Sequence, residues 1–366
     1  MWGLAVAAFF FEYGLFFAKV LTVLVAVLIA VGFVASQRHE RRPGDGRVEV
    51  RRINDVLEDL RFALREHLLD PDQIKREEKT RKAREKAERK ARRKEAKMAR
   101  KRLAGRVEPE AVPDKPSLFL LNFEGDIRAS ANENLRREIT AVLAVARPGD
   151  EVVVKLESPG GMVHSYGLAA SQLDRIVQAK VQLVVCVDKV AASGGYMMAC
   201  VANRIVAAPF AVLGSIGVVA QLPNVHRLLK KNDIDFELLT AGQYKRTLTV
   251  FGENTDEGRQ KFIEELEETH VLFKEFVSEH RPQVDIDQIA TGETWYGRRA
   301  LGMKLIDEVS TSDDYLIKRV EEVNVYDVRF VEHKSLRERL GMGAAEMLDR
   351  VAVKWWDRLT QSRWMV

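Results

Sequence analysis

Residues 182–201 read QLVVCVDKVAASGGYMMACV. The run from Gln182 to Val187 is short, apolar and rich in valine, and a polar pair, Asp188 and Lys189, closes it, so it reads as a strand. Tyr196 to Cys200 then reads as a buried helix. Ser193 thus stands at a strand-to-helix junction, with its hydroxyl projecting and the Gly194 N–H near the helix start. On either side the pattern repeats. Strands are predicted at Ser117 to Phe123, Glu151 to Glu157, Arg204 to Ala208 and Phe236 to Leu239. Helices are predicted at Asn132 to Val145, Asp256 to Glu279 and Asp314 to Val320, and an extended segment at Val323 to Phe330. Short apolar strands separated by helices indicate an α/β fold built from crossover units.

At 366 residues and 46% hydrophobic, the chain can fill one large core with appendages at its ends. The charge is unevenly spread. Residues 75–102 carry 16 Lys plus Arg against 5 Glu, a net of +11, so the rest of a chain that is +4 overall is net −7. A basic nucleic-acid-binding face on the main domain is therefore not implied. The 75–102 run has almost no apolar residue larger than alanine, and its composition favours an exposed helix with charge pairs such as Glu85 with Arg89. Such a run reads as a solvated spacer, as a segment drawn to anionic lipid headgroups, or as an RNA- or DNA-binding stretch, the last without the aromatic interleaving that base stacking needs.

The amino-terminal region is the opposite extreme. Between Trp2 and Ala35 the only charges are Glu12 and Lys19. Phe16 to Ala35 is long enough to cross a bilayer as one helix if Lys19 reaches a headgroup; the rival, a signal peptide cleaved near Val34-Ala35-Ser36, lacks a basic start and is shorter than this apolar stretch. Arg38, Arg41 and Arg42 follow, and with Arg51 and Arg52 they favour the cytoplasmic side for what comes next. Arg47 to Leu69 can form an amphipathic helix, with Ile53, Leu57, Leu60, Leu64 and Leu68 on one side. At the other end, Leu340 to Trp364 carries Trp355, Trp356 and Trp364 among basic residues, an interfacial or packing helix. The two cysteines, Cys186 and Cys200, sit in apolar surroundings and read as buried thiols. Neither a disulfide framework nor metal-ligand spacing is present.

Three glycine-bearing junctions offer chemistry: Ser158-Pro159-Gly160-Gly161, Ala192-Ser193-Gly194-Gly195 and Gly214-Ser215-Ile216-Gly217. Ser193 suits a nucleophile whose oxyanion takes hydrogen bonds from backbone amides, although a serine before a helix is also an ordinary N-cap. A second donor can come from Gly160 or Gly161. His164 has no evident orienting partner, and His226, His270 and His280 are expected to face solvent, so no histidine base emerges. A lysine base is the alternative. Lys245, in Gly242-Gln243-Tyr244-Lys245, would need an apolar pocket to bring its pKa from about 10.4 toward 7 to 8, and is otherwise one more exposed cation among 58 basic side chains. The Ser215 hydroxyl can orient that amine.

Together these residues resemble the signal peptide peptidase A family of serine-lysine peptidases, and most closely its single-domain, membrane-anchored SohB branch. The family's Ala-Ser-Gly-Gly-Tyr motif is matched by Ala192 to Tyr196, which implies that Ser193 is the nucleophile. The family lysine follows 52 residues later in a Gly-x-Tyr-Lys context, which Lys245 fits. A Gly-Ser-Ile-Gly segment lies 22 residues past the nucleophile, and Ser215 matches the serine that hydrogen-bonds the lysine. Pro159-Gly160-Gly161 corresponds to the oxyanion segment, with Gly161 as the donor beside Gly194. The resemblance runs from about Ser117 to Val320.

It implies a ClpP/crotonase-like fold of repeated ββα units and a ring-like homo-oligomer. It also implies cleavage of short or unfolded hydrophobic peptides, signal-peptide remnants among them, at a bacterial inner membrane crossed once. SohB-like proteins are discussed as facing the periplasm, against the positive-inside count. The expected layout is a transmembrane anchor at 1–36, a juxtamembrane amphipathic segment at 37–72, a basic helical linker at 73–112, the peptidase domain at 113–335 and an amphipathic tail at 336–366. Expected partners are peptide or unfolded-protein substrates, membrane lipid and further copies of the chain. No cofactor, metal or specific nucleic acid is expected. The alternatives are a crotonase-like acyl-CoA enzyme and a catalytically silent membrane scaffold.

Overall fold

Strand β2 (Ser117–Glu124) shows how the core is built. Leu118 and Leu120 point to one face, and Phe119, Leu121 and Phe123 point to the other, because successive side chains of a strand alternate. The strands β3 (Glu151–Glu157), β4 (Gln182–Val187) and β6 (Arg204–Ala207) repeat the pattern. Val153, Val184, Cys186 and Val206 join the first face, while Val152, Val154, Val185 and Ile205 join the second. Both faces are buried, which is why these strands read as unbroken apolar runs. Each fully buried Val, Leu or Ile contributes about 1.5 to 3 kcal/mol.

The computed structural model describes residues 46–70 and 115–332 without a break, with scattered positions between 16 and 94. Residues 48–331 form one compact unit, and nearly all of the other unit, 1–47 with 332–366, lies outside the described residues. So do most of the expected membrane span, most of the basic linker and the whole carboxyl-terminal tail. Among the described residues no helix is long and apolar enough to cross a membrane.

In chain order the remaining elements are β1 (Gly46–Arg52), α1 (Ile53–Leu68), α2 (Asn132–Leu143), α3 (Val163–Gln178), β5 (Val190–Ala192), α4 (Gly194–Ala199), β7 (Val212–Gly214) and α5 (His226–Lys231). They continue with α6 (Asp256–His280), α7 (Ile286–Ile289), β8 (Thr294–Tyr296), α8 (Gly297–Gly302), β9 (Glu308–Val309), α9 (Ser312–Glu322) and β10 (Asn324–Glu332). The large sheet has the order β1-β10-β2-β3-β4-β6-β9, and every pair from β10 to β9 is parallel. A small sheet has the order β5-β7-β8. Strand β4 feeds β5 and then α4, a ββα unit. Strand β3 feeds a single bridge, Ser158 to Ala191, and then α3, a shortened version of the same unit.

Two expectations are corrected here. Arg47 to Leu69 is not one helix but the strand β1 followed by α1. Val48 and Val50 alternate with charged residues, a period-two pattern that suits a strand in the ladder beside β10. Asn54 ties α1 down: its amide donates to the carbonyls of Val320 and Val323, both at 3.0 Å, and its oxygen accepts from Val325 N–H at 2.8 Å. Phe236 to Leu239 forms no strand. A strand needs a ladder to satisfy its backbone, and none is offered there among the described residues. Leu239 is 89% exposed, while Phe236 rests on the Phe251 ring at 5.5 Å.

Helix α6 carries one wall of the cavity described below. Its first turn is capped by Thr255, whose hydroxyl accepts from Gly258 N–H at 3.1 Å. Its far end is held by Arg281, a buried guanidinium that donates twice to Asp307, at 2.9 Å each. Asp307 also accepts from Ile205 N–H at 2.7 Å, which ties the end of the helix to β6.

Glu138 on α2 is only 6% exposed, and it accepts from Phe330 N–H at 2.7 Å. Burial pushes its carboxyl up to about 7; the Phe330 hydrogen bond opposes this and the Asp327 charge adds to it. The unfolded carboxyl titrates near 4.5, so its contribution to stability is complete below about that pH and is lost as the pH rises through 7. Glu138→Gln keeps an acceptor without a charge. Its stability relative to the parent should therefore improve from pH 5 to pH 8, by at most about 3 kcal/mol. Denaturation midpoints at the two pH values measure this, and an unchanged difference would place the titration elsewhere.

Candidate active site

The backbone at Ser193 is unusual. Its φ is 52° and its ψ −120°, a region that a side chain enters only when its surroundings hold it there. What holds it is a hydrogen bond from Ser193 N–H to the Gly214 carbonyl at 2.8 Å, and the Ser193 carbonyl accepts from Met197 N–H at 3.0 Å. The hydroxyl caps nothing. The ordinary N-cap reading is thus set aside, and the side chain faces open space.

That space is a cavity of about 490 Å³. Its lining includes the three glycine-bearing junctions, with Gly160, Gly161, Ser193, Gly194, Ser215 and Gly217. Its apolar walls are Val163, Met197, Val218 and Phe273. Ser215 also has a positive φ, 51°, and donates its N–H to the Glu293 carbonyl at 2.6 Å. Behind it the Trp295 ring lies against Gly214, where a Cβ would sit 2.6 Å from the indole. The small sheet therefore sets both serines.

Two amides point to an oxyanion site. Gly194 opens α4, so its N–H lies outside that helix's own bonds. At the other junction the two glycines divide the work. Gly160 N–H is already committed to the Ser158 hydroxyl at 3.1 Å, whereas Gly161 N–H has no acceptor among the described residues and Gly161 itself is exposed. Gly160 must be glycine: its φ is +93°, and a Cβ there would stand 2.7 Å from the Ser193 Cβ and 2.8 Å from Gly194 N.

Ser193, Gly194, Gly161 and Ser215 are thus brought together, and Lys245 is not. Lys245 is exposed and does not line the cavity. Its N–H closes a turn on the Gly242 carbonyl at 3.2 Å. Its neighbour Gln243 donates to Glu257 at 3.1 Å, and Lys261 lies over the Tyr244 ring, so this stretch leans on the start of α6. The dry pocket expected around Lys245 is absent from the described residues of the single chain. The segment that carries it is apolar and bare: Val219 is 81% exposed, and Leu228, Ile234 and Leu238 are exposed as well.

No histidine lines the cavity. His226, His270 and His280 are nevertheless partly buried rather than solvent-facing, and His280 bonds the Phe276 carbonyl at 2.8 Å. Both cysteines are buried and free. Among the described residues no cluster of potential metal ligands forms. The sequence reading missed Phe273 and Thr269, which reach the cavity from α6, and it missed Tyr166 beneath it. Their positions carry no local motif; only the packing of α6 and α3 brings them there.

Residues 8–173 match the family description Peptidase family S49 N-terminal, and residues 175–326 match Peptidase family S49. A probable protease SohB of Haemophilus influenzae is 51% identical over 334 residues, which cover 91% of this chain and 92% of the relative. A putative protease SohB of Buchnera aphidicola is 40% identical, covering 91% of this chain and 93% of its own. The solved structure of a membrane-bound stomatin-specific protease mutant with a substrate peptide is 14% identical. It covers 63% of this chain and 97% of that one at a TM-score of 0.38.

A methyl group at two glycines separates site geometry from stability. Gly160→Ala should displace Ser193 and lower fluorophosphonate labelling of it by about 10²-fold or more, the scale of a 1 Å misplacement. Gly149→Ala meets nothing within 4 Å, although φ there is +94°, so it should cost about 1 kcal/mol of stability and leave labelling unchanged. Equal labelling of the two variants would remove Gly160 from the site.

Proposed function

This chain belongs to peptidase family S49 and is a serine peptidase, and on that footing we propose that Ser193 is its nucleophile and Lys245 its general base. The observation that carries the reading is the uncapped Ser193 hydroxyl, held at positive φ beside the unpaired Gly161 N–H and the Gly194 N–H. Neutral Lys245 takes the Ser193 proton as Oγ attacks the peptide carbonyl carbon. The oxyanion rests on the two glycine amides, and the Ser215 hydroxyl orients the amine. The lysine ammonium then passes its proton to the departing amine. Water repeats the sequence in reverse on the acyl-enzyme and frees the serine.

The apolar walls, Val163, Met197, Val218 and Phe273, suit an apolar side chain of a short or unfolded peptide, with signal-peptide remnants as one source. The ββα repeats support a ClpP/crotonase-type assignment of the fold. The charge-poor amino-terminal segment supports a single-pass anchor in a bacterial inner membrane, in contact with its lipid. Family membership weighs against the acyl-CoA and silent-scaffold alternatives.

Because Lys245 stands outside the cavity of its own chain, the dyad is completed either by movement of residues 219–255 or by a second copy in a homo-oligomer. The bare apolar surface of that segment favours the second copy. Ser193→Ala and Lys245→Ala should each lower cleavage of a hydrophobic peptide by at least about 10³-fold. Assembled together from a mixture, the two variants should recover activity at about a quarter of the sites, since random pairing places an intact serine beside an intact lysine that often. No recovery would assign Lys245 to its own chain's Ser193. Full activity of either variant alone would end the dyad reading.

A further inference from the structure

Beneath the cavity, four groups form a line that the Ser-Lys chemistry does not use. Gly160 N–H donates to Ser158 Oγ at 3.1 Å, Ser158 Oγ lies 2.6 Å from Tyr166 Oη, and Tyr166 Oη donates to the Asp126 carbonyl at 2.8 Å. Ser158 and Tyr166 are both fully buried.

The direction of the line follows from proton counting. A backbone carbonyl can only accept, so the Tyr166 proton is spent on Asp126. The Tyr166 oxygen must then accept, and the proton between the two hydroxyls comes from Ser158. With that proton given away, the Ser158 oxygen is left to accept from Gly160 N–H. Only one arrangement satisfies every group. Burial raises the Tyr166 pKa, which keeps the phenol proton in place.

We propose that Ser158 and Tyr166 are positioning residues for the oxyanion site, holding Gly160 N–H inward so that the next amide, Gly161 N–H, is left free for the reacting carbonyl oxygen. The same tyrosine supports the other donor. A Cβ on Gly194 would collide with the Tyr166 ring, so the nucleophile junction lies directly on it. A Cβ on Gly125 would collide with both hydroxyls, which leaves no room for a water to replace either. The backbone of Ser158 meanwhile bridges β3 to β5: its N–H donates to the Val190 carbonyl at 2.8 Å, and its carbonyl accepts from Ala192 N–H at 3.0 Å. One residue thus ties the glycine loop to the strand that leads into Ser193.

The proposal rests on the reading of Gly161 and Gly194 as oxyanion donors. It is tested on the full chain in detergent, with a fluorogenic hydrophobic peptide, a fluorophosphonate to count competent sites, and thermal denaturation. Per competent site, Tyr166→Phe and Ser158→Ala should each lower kcat by roughly 10- to 100-fold, below the 10²- to 10³-fold that loss of a donor itself costs, with KM within about twofold. Because the two act in one line, Ser158→Ala/Tyr166→Phe should be no slower than the slower single variant. Parental kcat in either variant, losses that multiply, or losses accounted for by fewer competent sites would overturn the proposal. Should one single variant fail to fold, the other decides by its kcat and KM. Ser193→Ala runs beside them. If it still cleaves, the peptidase reading falls; if it is inactive while Tyr166→Phe is unimpaired, only the positioning line falls.

Discussion

The bridge at Ser158 sets the distance on which the site depends. Strands β3 and β4 lie side by side in the large sheet, in register from Glu151 with Gln182 to Lys155 with Cys186. Beyond that ladder the chains part. Strand β4 turns through Asp188 and Lys189 into β5, and two hydrogen bonds at Ser158 rejoin β3 to it. The glycine loop leaves on one side of this bridge and Ser193 on the other. Any slip of β3 against β5 would separate the proposed oxyanion donors from the nucleophile.

The strain in the site is supported from two directions. Ser193 and Ser215 both sit near φ 50°, where side chains are costly by about 1 to 3 kcal/mol each. The Gly214 carbonyl holds one by its amide, the Glu293 carbonyl holds the other, and the Trp295 ring backs the strand between them. From the large-sheet side the buried Tyr166 carries Gly194. A rigid core of this density makes such strain affordable only where packing over-determines the backbone, and nearly everything around Ser193 is buried.

The periphery is different in kind. Residues 219–251 present apolar side chains to solvent, make no strand, and carry Lys245 on an exposed turn. The catalytic base proposed here belongs to that surface and the nucleophile to the core. In the proposed mechanism the two must meet, and burying the apolar segment would favour that encounter.

Much of this was legible in the chain itself. The strands at Glu151 to Glu157 and Gln182 to Val187 and the helix from Asp256 could be read residue by residue, because burial on both faces leaves unbroken apolar runs in strands and a helix repeats its apolar residues at three and four. The glycine junctions and the serines between them were legible too, since tight backbone approach demands glycine locally. Tertiary structure alone decided the rest. Phe236 to Leu239 has strand composition but no ladder to join. Gly160 and Gly161 are adjacent and alike in sequence, yet a buried Ser158 hydroxyl claims the first amide and leaves the second free. Tyr166 matters through what lies above it, and the exposure of Lys245 depends on which surfaces the chain can cover alone. Local periodicity and turn chemistry are written along the chain; partners for backbone groups and shelter from water come from residues distant in sequence.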